Sequence, residues 1–226
     1  MTFSLVARDA VTGQFGVGIA SSSPAVAARC AFTRASVGAA TSQNVTDPSL
    51  GPLALDRLAA GQAAAAALAD VTALARFPAY RQILIIDPAG NTAIHSGAEA
   101  LGNVGEAQGR DVAAAGNLLA ASHVPSAMVA AFTAATGHLG DRLLAALSAG
   151  RAAGGEAGPI HSAGLQIAGN ESWPIVDLRC DWTEACPIDA VAAAWTVYQP
   201  QIAAYVQRAR DPRTAPAYGV AGDPGA

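Results

Sequence analysis

No lysine occurs anywhere in the 226 residues; all thirteen basic positions are arginines. This absence excludes Schiff-base chemistry, a lysine general base and the phosphate-gripping lysine of a P-loop. Charge is scarce overall, with 13% charged residues and a formal net charge of -4. No basic footprint invites nucleic acid or anionic lipid, so neither is expected as a partner. Only three cysteines are present, Cys30, Cys180 and Cys186, with no CxxC spacing. They read as reduced cytoplasmic thiols rather than a zinc or redox motif. The N-terminus lacks the basic n-region of a signal peptide, and no stretch holds 18 truly apolar residues. The longest candidate, "GQAAAAALADVTALA", is alanine-rich and reads as a helix in water. These absences together predict a soluble cytoplasmic protein.

What is present is apolar bulk. A 52% hydrophobic content supports one sizeable core, expected as a single domain over residues 1–210. The closing "DPRTAPAYGVAGDPGA" has little such bulk, and 211–226 is expected to be a flexible tail.

"TFSLVAR" and "QFGVGIAS" are apolar runs joined by "DAVTG", which predicts a β-hairpin with Thr2 opposite Ser21. "ASVGAATSQ" follows as a strand ending in hydroxyls and amides. "GPLALDRLAAG" and "QAAAAALADVTALA" predict two helices broken at Gly61. "YRQILIIDPAGNTAIHSGA" and "RDVAAAGNLLA" return to strands. Two helices follow over "VPSAMVAAFTAATG" and "LGDRLLAALSAGRAAGG", then strands in "IHSAGLQIAG" and "WPIVDLRCDW" and one long closing helix. Short links between neighbouring strands and paired helices predict antiparallel α+β architecture. Both a four-layer αββα sandwich and a two-layer α+β domain satisfy the pattern.

Several motifs dissolve on inspection. "FGVGIASSS" contains GxGxxS, but within a hairpin strand its glycines read as packing devices, not a dinucleotide fingerprint. His95–Ser96 and His161–Ser162 are adjacent in strands, so each pair points to opposite faces. His123 and His138 lie at helix starts without metal-ligand spacing, and no metal or other cofactor is expected. The carboxylates Asp9, Asp47, Asp56 and Asp87 fall in turns and helix faces, where capping explains them.

Thr2 remains. Methionine aminopeptidase removes Met1 before a small residue, which would set a hydroxyl beside a free α-amino group: a nucleophile with its own base. That amine has a reference pKa of about 7.7–8.0, low enough to take a proton near neutrality. Backbone amides with the Asn117 or Asn44 side chain suit an oxyanion.

The motifs "TFSLVARD", "FGVGIASSSPAV", "VGAATSQNVTDPSLGPLALDRLAAG", "YRQILIIDPAGNTAIHSG", "AAGNLLA", "AGGEAGPIHSAGL" and "WPIVDLR" together resemble a bacterial family of unknown function, domain of unknown function 1028, regarded as related to the N-terminal nucleophile (Ntn) hydrolases. The resemblance runs from Thr2 to about Pro212. It implies an αββα sandwich of two antiparallel sheets flanked by helices, with Thr2 at the nucleophile position, and no settled activity. Carried onto this chain, it supports Thr2, Ser21 and Asn117 as catalytic and Gln43, Asn44 and Arg81 as site members. Proteasome-type relatives place a lysine near the threonine; its absence here favours the small-amide branch.

The resulting expectation is a hydrolase of non-peptide C–N bonds acting on a small linear or cyclic amide. Thr2, Ser21 and Asn117 would be catalytic; Ser22, Gln43, Asn44, Arg81, His161 and Ser162 would bind substrate, Arg81 by clamping a carboxylate. Two rivals stand beside it: a non-catalytic metabolite-binding or structural protein with the same fold, and a hydrolase using Ser21 or Ser22 with His161. Trp195, Tyr198 and Tyr205, with the alanine-rich helix faces, would cover this chain's own core or meet a second copy in a homo-oligomer.

Overall fold

The computed structural model describes residues 2–222. Met1 and residues 223–226 lie outside the described residues. Strands β1 (Thr2–Arg8) and β2 (Phe15–Ser21) form the expected hairpin. Asp9 Oδ1 accepts from the amides of Val11 and Thr12, and Gly13 supplies the positive φ that closes the turn. The register runs from Phe3 opposite Ala20 to Arg8 opposite Phe15, which brings Thr2 and Ser21 side by side.

After β2 come α1 (Val26–Cys30), β3 (Ala31–Arg34) and β4 (Gly38–Asn44), then α2 (Leu50–Ala59) and α3 (Ala64–Leu74). Strands β5 (Arg81–Ile86), β6 (Thr92–Ser96), β7 (Gly105–Gly109) and β8 (Val112–Asn117) follow. Helices α4 (Val124–Ala134) and α5 (Leu139–Ala152) lead to β9 (Ser162–Ala168), β10 (Pro174–Cys180), α6 (Pro187–Tyr198) and α7 (Ile202–Arg210). The strands assemble as a six-stranded sheet, β10-β9-β2-β1-β8-β7, and a four-stranded sheet, β3-β4-β5-β6, with antiparallel pairing throughout.

Three separate apolar cores show that the layers number four. The first joins Phe3, Leu5 and Ala7 of β1 to α4, α5 and α6. The second lies between the sheets, where Val6, Val17, Ile19, Ala113 and Ala115 meet Leu84 and Ile86. The third packs Ala40, Ile83 and Ile85 against α2 and α3. The chain is therefore an αββα sandwich of two antiparallel sheets, and the two-layer alternative is set aside. Strand alternation makes this possible, because odd residues of β1 face helices while even residues face the second sheet.

Gly18 owes its identity to this packing. A Cβ there would stand 2.9 Å from Leu5 Cδ2 and 3.3 Å from Leu147 of α5, so GxGxxS serves helix-on-sheet contact. His138 caps α5: its Nδ1 accepts from Gly140 N while Asp141 accepts from His138 N.

The short helix α1, strands β3 and β7 and the closing helix differ from the sequence reading. Strands β3 and β7 are short edge strands whose sequences, "AFTR" and "GEAQG", carry almost no apolar alternation. The long closing helix is broken by a 3-10 turn at 199–201, because Pro200 has no N–H to continue the helical bonds. Residues 211–222 contain no helix or strand but fold back on α7, where Arg208 stacks 3.9 Å over Tyr218 and donates to the carbonyls of Pro216 and Ala217. Trp195 is buried in the first core and donates to Asp141, and Tyr198 donates to the Ile175 carbonyl, so both cover this chain's own interior. Among the described residues, no helix is long and apolar enough to cross a membrane.

Candidate functional site

The central position of β1 puts Thr2 in a rank of polar residues spanning four strands. Asn117 of β8 is its register partner on one side. Ser21 of β2 lies on the other, and Ser162 of β9 pairs with Ser21 beyond it. Directly paired residues share a face, so these side chains stand together at one end of the inter-sheet space. Thr2 Oγ1 is 3.3 Å from Ser21 Oγ, and Ser21 Oγ is 2.8 Å from Ser23 Oγ and accepts from Ser23 N. Ser162 donates to the Ser23 carbonyl at 2.6 Å and accepts from Val26 N, fixing the loop beyond β2.

Beneath this rank runs a chain of buried amides between the sheets. Ser4 donates to Gln43 Oε1 at 2.7 Å. Gln43 Nε2 donates to Gln82 Oε1 at 2.8 Å and to the Ala115 carbonyl. Gln82 Nε2 donates to Ser96 Oγ and to the Gly116 carbonyl, and Asn117 Nδ2 donates to Gln82 Oε1 at 3.1 Å. Such a network is stable only when its members are satisfied, and it ties the floor of the rank to both sheets.

Glu156 was not anticipated. It lies between α5 and β9, is bridged to Leu119 just past β8, and is 4% exposed. Both of its carboxylate oxygens accept from Ser22 N, at 3.0 and 3.2 Å. Burial pushes its pKa up to about 7 against the opposing pull of the Ser22 hydrogen bonds and of His161. Its only sequence signal is a lone carboxylate among glycines in "AGGEAG". A cavity of about 360 Å³ opens beside it, walled by Phe3, Gly155, Ile160, Glu184 and Asp189. A larger recess of about 540 Å³ lies at the far end of β1 near Arg8, Asn91 and Asp111, remote from Thr2.

The other expected site residues have structural partners. Ser22 contributes its backbone N–H to Glu156. Asn44 donates to the Tyr80 carbonyl and accepts from Leu101 N, and its φ of 73° marks the end of β4. The Arg81 guanidinium donates to the carbonyls of Val45 and Arg76 and so staples two loops. His161 donates its backbone N–H to the Ser21 carbonyl, while its ring bonds the Thr183 carbonyl through Nδ1 and stacks on Trp182 at 4.4 Å. That ring nitrogen therefore serves the 181–185 loop and not a serine hydroxyl. His95 bonds the Pro78 carbonyl while Ser96 joins the amide network, so the two diverge as alternation requires. Ala25 and Leu118, both non-glycine residues at positive φ, lie just beyond β2 and β8 at this same end. Among the described residues, no group of three or more His, Cys, Asp or Glu gathers to hold a metal.

A profile of the family of unknown function DUF1028 matches residues 2–191. The crystal structure of protein SPO2555 from Silicibacter pomeroyi, described under that same family, superposes with a TM-score of 0.82 at 30% identity, covering 88% of this chain and 89% of that one. No curated protein matches the chain.

Proposed function

The chain belongs to the family of unknown function DUF1028, and from that premise we propose that it is an amidohydrolase of the N-terminal nucleophile type. It acts as a single domain on a small linear or cyclic amide, with Thr2 exposed by removal of Met1. The freed α-amine takes the proton of Thr2 Oγ1 as the oxygen attacks the amide carbon. Collapse of the tetrahedral intermediate expels the amine product, which carries that proton away, and water then hydrolyses the Thr2 ester. Backbone N–H groups at the strand ends bear the oxyanion.

The observation that supports this reading is the placement of Thr2: first residue of the central strand, its hydroxyl 3.3 Å from Ser21 and Asn117 on its other flank. Intact mass of untagged protein tests whether Met1 is removed, and Thr2→Ala tests the chemistry. Wild type should turn over members of an amide library, with the folded Thr2→Ala protein at least about a thousandfold slower. Undiminished turnover in Thr2→Ala sinks the mechanism.

A second reading, non-catalytic metabolite binding, is favoured by the cavity beside Glu156. It predicts a ligand that stabilises wild type and Thr2→Ala equally, with no turnover by either.

A further inference from the structure

The carboxamide of Asn117 has a fixed direction. The Gly116 and Ala115 carbonyls can only accept, so Gln82 and Gln43 must both turn Nε2 toward them, at 3.1 and 3.3 Å. Gln82 Oε1 then faces the Gln43 and Asn117 amides, at 2.8 and 3.1 Å. Asn117 must therefore present Nδ2 to Gln82, which commits one of its two N–H donors. Oδ1 is thereby held on the side of the carboxamide turned away from Gln82. Asn117 is 0% exposed, and Oδ1 has no hydrogen-bond partner. Buried acceptors are seldom left so. Asn117 is also the register partner of Thr2, on a shared face, and Thr2 Oγ1 engages Ser21 on the opposite flank.

We propose that Asn117 is a positioning residue whose Oδ1 accepts a hydrogen bond from the α-amino group of Thr2 once Met1 is gone. The inference rests on the N-terminal nucleophile reading and adds the means of orienting its base. An α-amine turns freely about its Cα–N bond; with one N–H held by Oδ1, its lone pair is directed toward Thr2 Oγ1. The amide network beneath keeps the oxygen, rather than the NH₂ group, turned toward the amine.

The chain's lack of lysine makes a selective test available, since the α-amine is its only aliphatic amine. Cyanate carbamylates the neutral amine and not its ammonium, and it also adds to thiols, so the pH profile of carbamylation, read from the mass of the cysteine-free N-terminal peptide ending at Arg8, reports the amine's half-protonation point. The other charged or ionisable groups bordering this end among the described residues include Glu156, His161, Cys30, Arg29, which donates to Ser23 Oγ, and Glu184, 3.7 Å from His161. The profile is therefore recorded in a Glu156→Gln background to remove the carboxyl that titrates nearest neutrality. Losing an acceptor disfavours the charged amine, so Asn117→Leu should lower the half-point by about one pH step or more, while Asn117→Asp keeps it at least as high. An unchanged half-point in folded Asn117→Leu overturns the inference. Should that variant not fold, the side-chain ¹³Cγ resonance of Asn117 in the parent protein must titrate with the amine's half-point, and a flat resonance overturns it equally. Retained Met1 by mass overturns the nucleophile reading and this inference with it; Met1 lost with a half-point indifferent to Asn117 overturns this inference alone.

Discussion

Glu156→Gln is expected to stabilise this protein at pH 8 and to leave its stability at pH 4 nearly unchanged. The folded protein holds the Glu156 proton until about pH 7, whereas an unfolded glutamate releases it near 4.5. Between those values the native state binds more protons than the unfolded one, so stability falls as pH rises through the window. At about 1.4 kcal/mol per pH step, full ionisation costs about 3 kcal/mol, an upper figure because local opening would admit water. Glutamine has the same shape and keeps an Oε1 acceptor for Ser22 N–H, so the packing and the 3.0 Å hydrogen bond survive while the charge does not. Urea denaturation of wild type and variant at pH 4 and pH 8 gives the comparison; other titrating groups are common to both proteins and cancel. The difference between the two stabilities should grow by about 2–3 kcal/mol from the lower pH to the higher. Stability curves that remain parallel across this range would refute the assignment of a buried, proton-retaining carboxyl beside Ser22.

Gln82→Leu should cost about 3–5 kcal/mol in urea denaturation, because it strands the buried amides of Gln43 and Asn117 and the Gly116 carbonyl together; a loss below about 1 kcal/mol would show the network to be dispensable. Cys30 is 1% exposed and burial pushes its thiol pKa up, whereas Cys180 and Cys186 are half-buried. A thiol reagent at pH 8 should therefore modify two cysteines in the native protein and Cys30 only on unfolding, as peptide mass mapping would reveal; equal rates at all three would contradict the burial of Cys30.

The hairpin of β1 and β2 was legible because a short turn with Asp9 and Gly13 fixes the register, and the register sets Thr2 beside Ser21. The divergence of His95 from Ser96 followed from strand alternation alone. Strands β3 and β7 were not legible: each sits at a sheet edge, where half-exposed pairing makes little demand on apolar pattern. Arg81 illustrates a different limit. An arginine at the start of a strand suggested a carboxylate clamp, yet the loop after β4 and the segment before β5 supply carbonyls that occupy its guanidinium. Glu156 was overlooked because a carboxylate in a glycine-rich connection reads as solvated until the chain around it is seen to close.

The sequence by itself determined the α+β class, the β1–β2 hairpin, the absence of lysine chemistry and the neighbour relation of Thr2 and Ser21. Each of these depends on composition, or on contacts between residues close in the chain. Only the tertiary structure decided that β8 lies beside β1, that Asn117 therefore faces Thr2, that Gln43 and Gln82 link the two sheets, and that Glu156 is buried against Ser22. These contacts join residues tens to more than a hundred positions apart, and local periodicity carries no information about which distant strands will pair or which way a buried amide must turn.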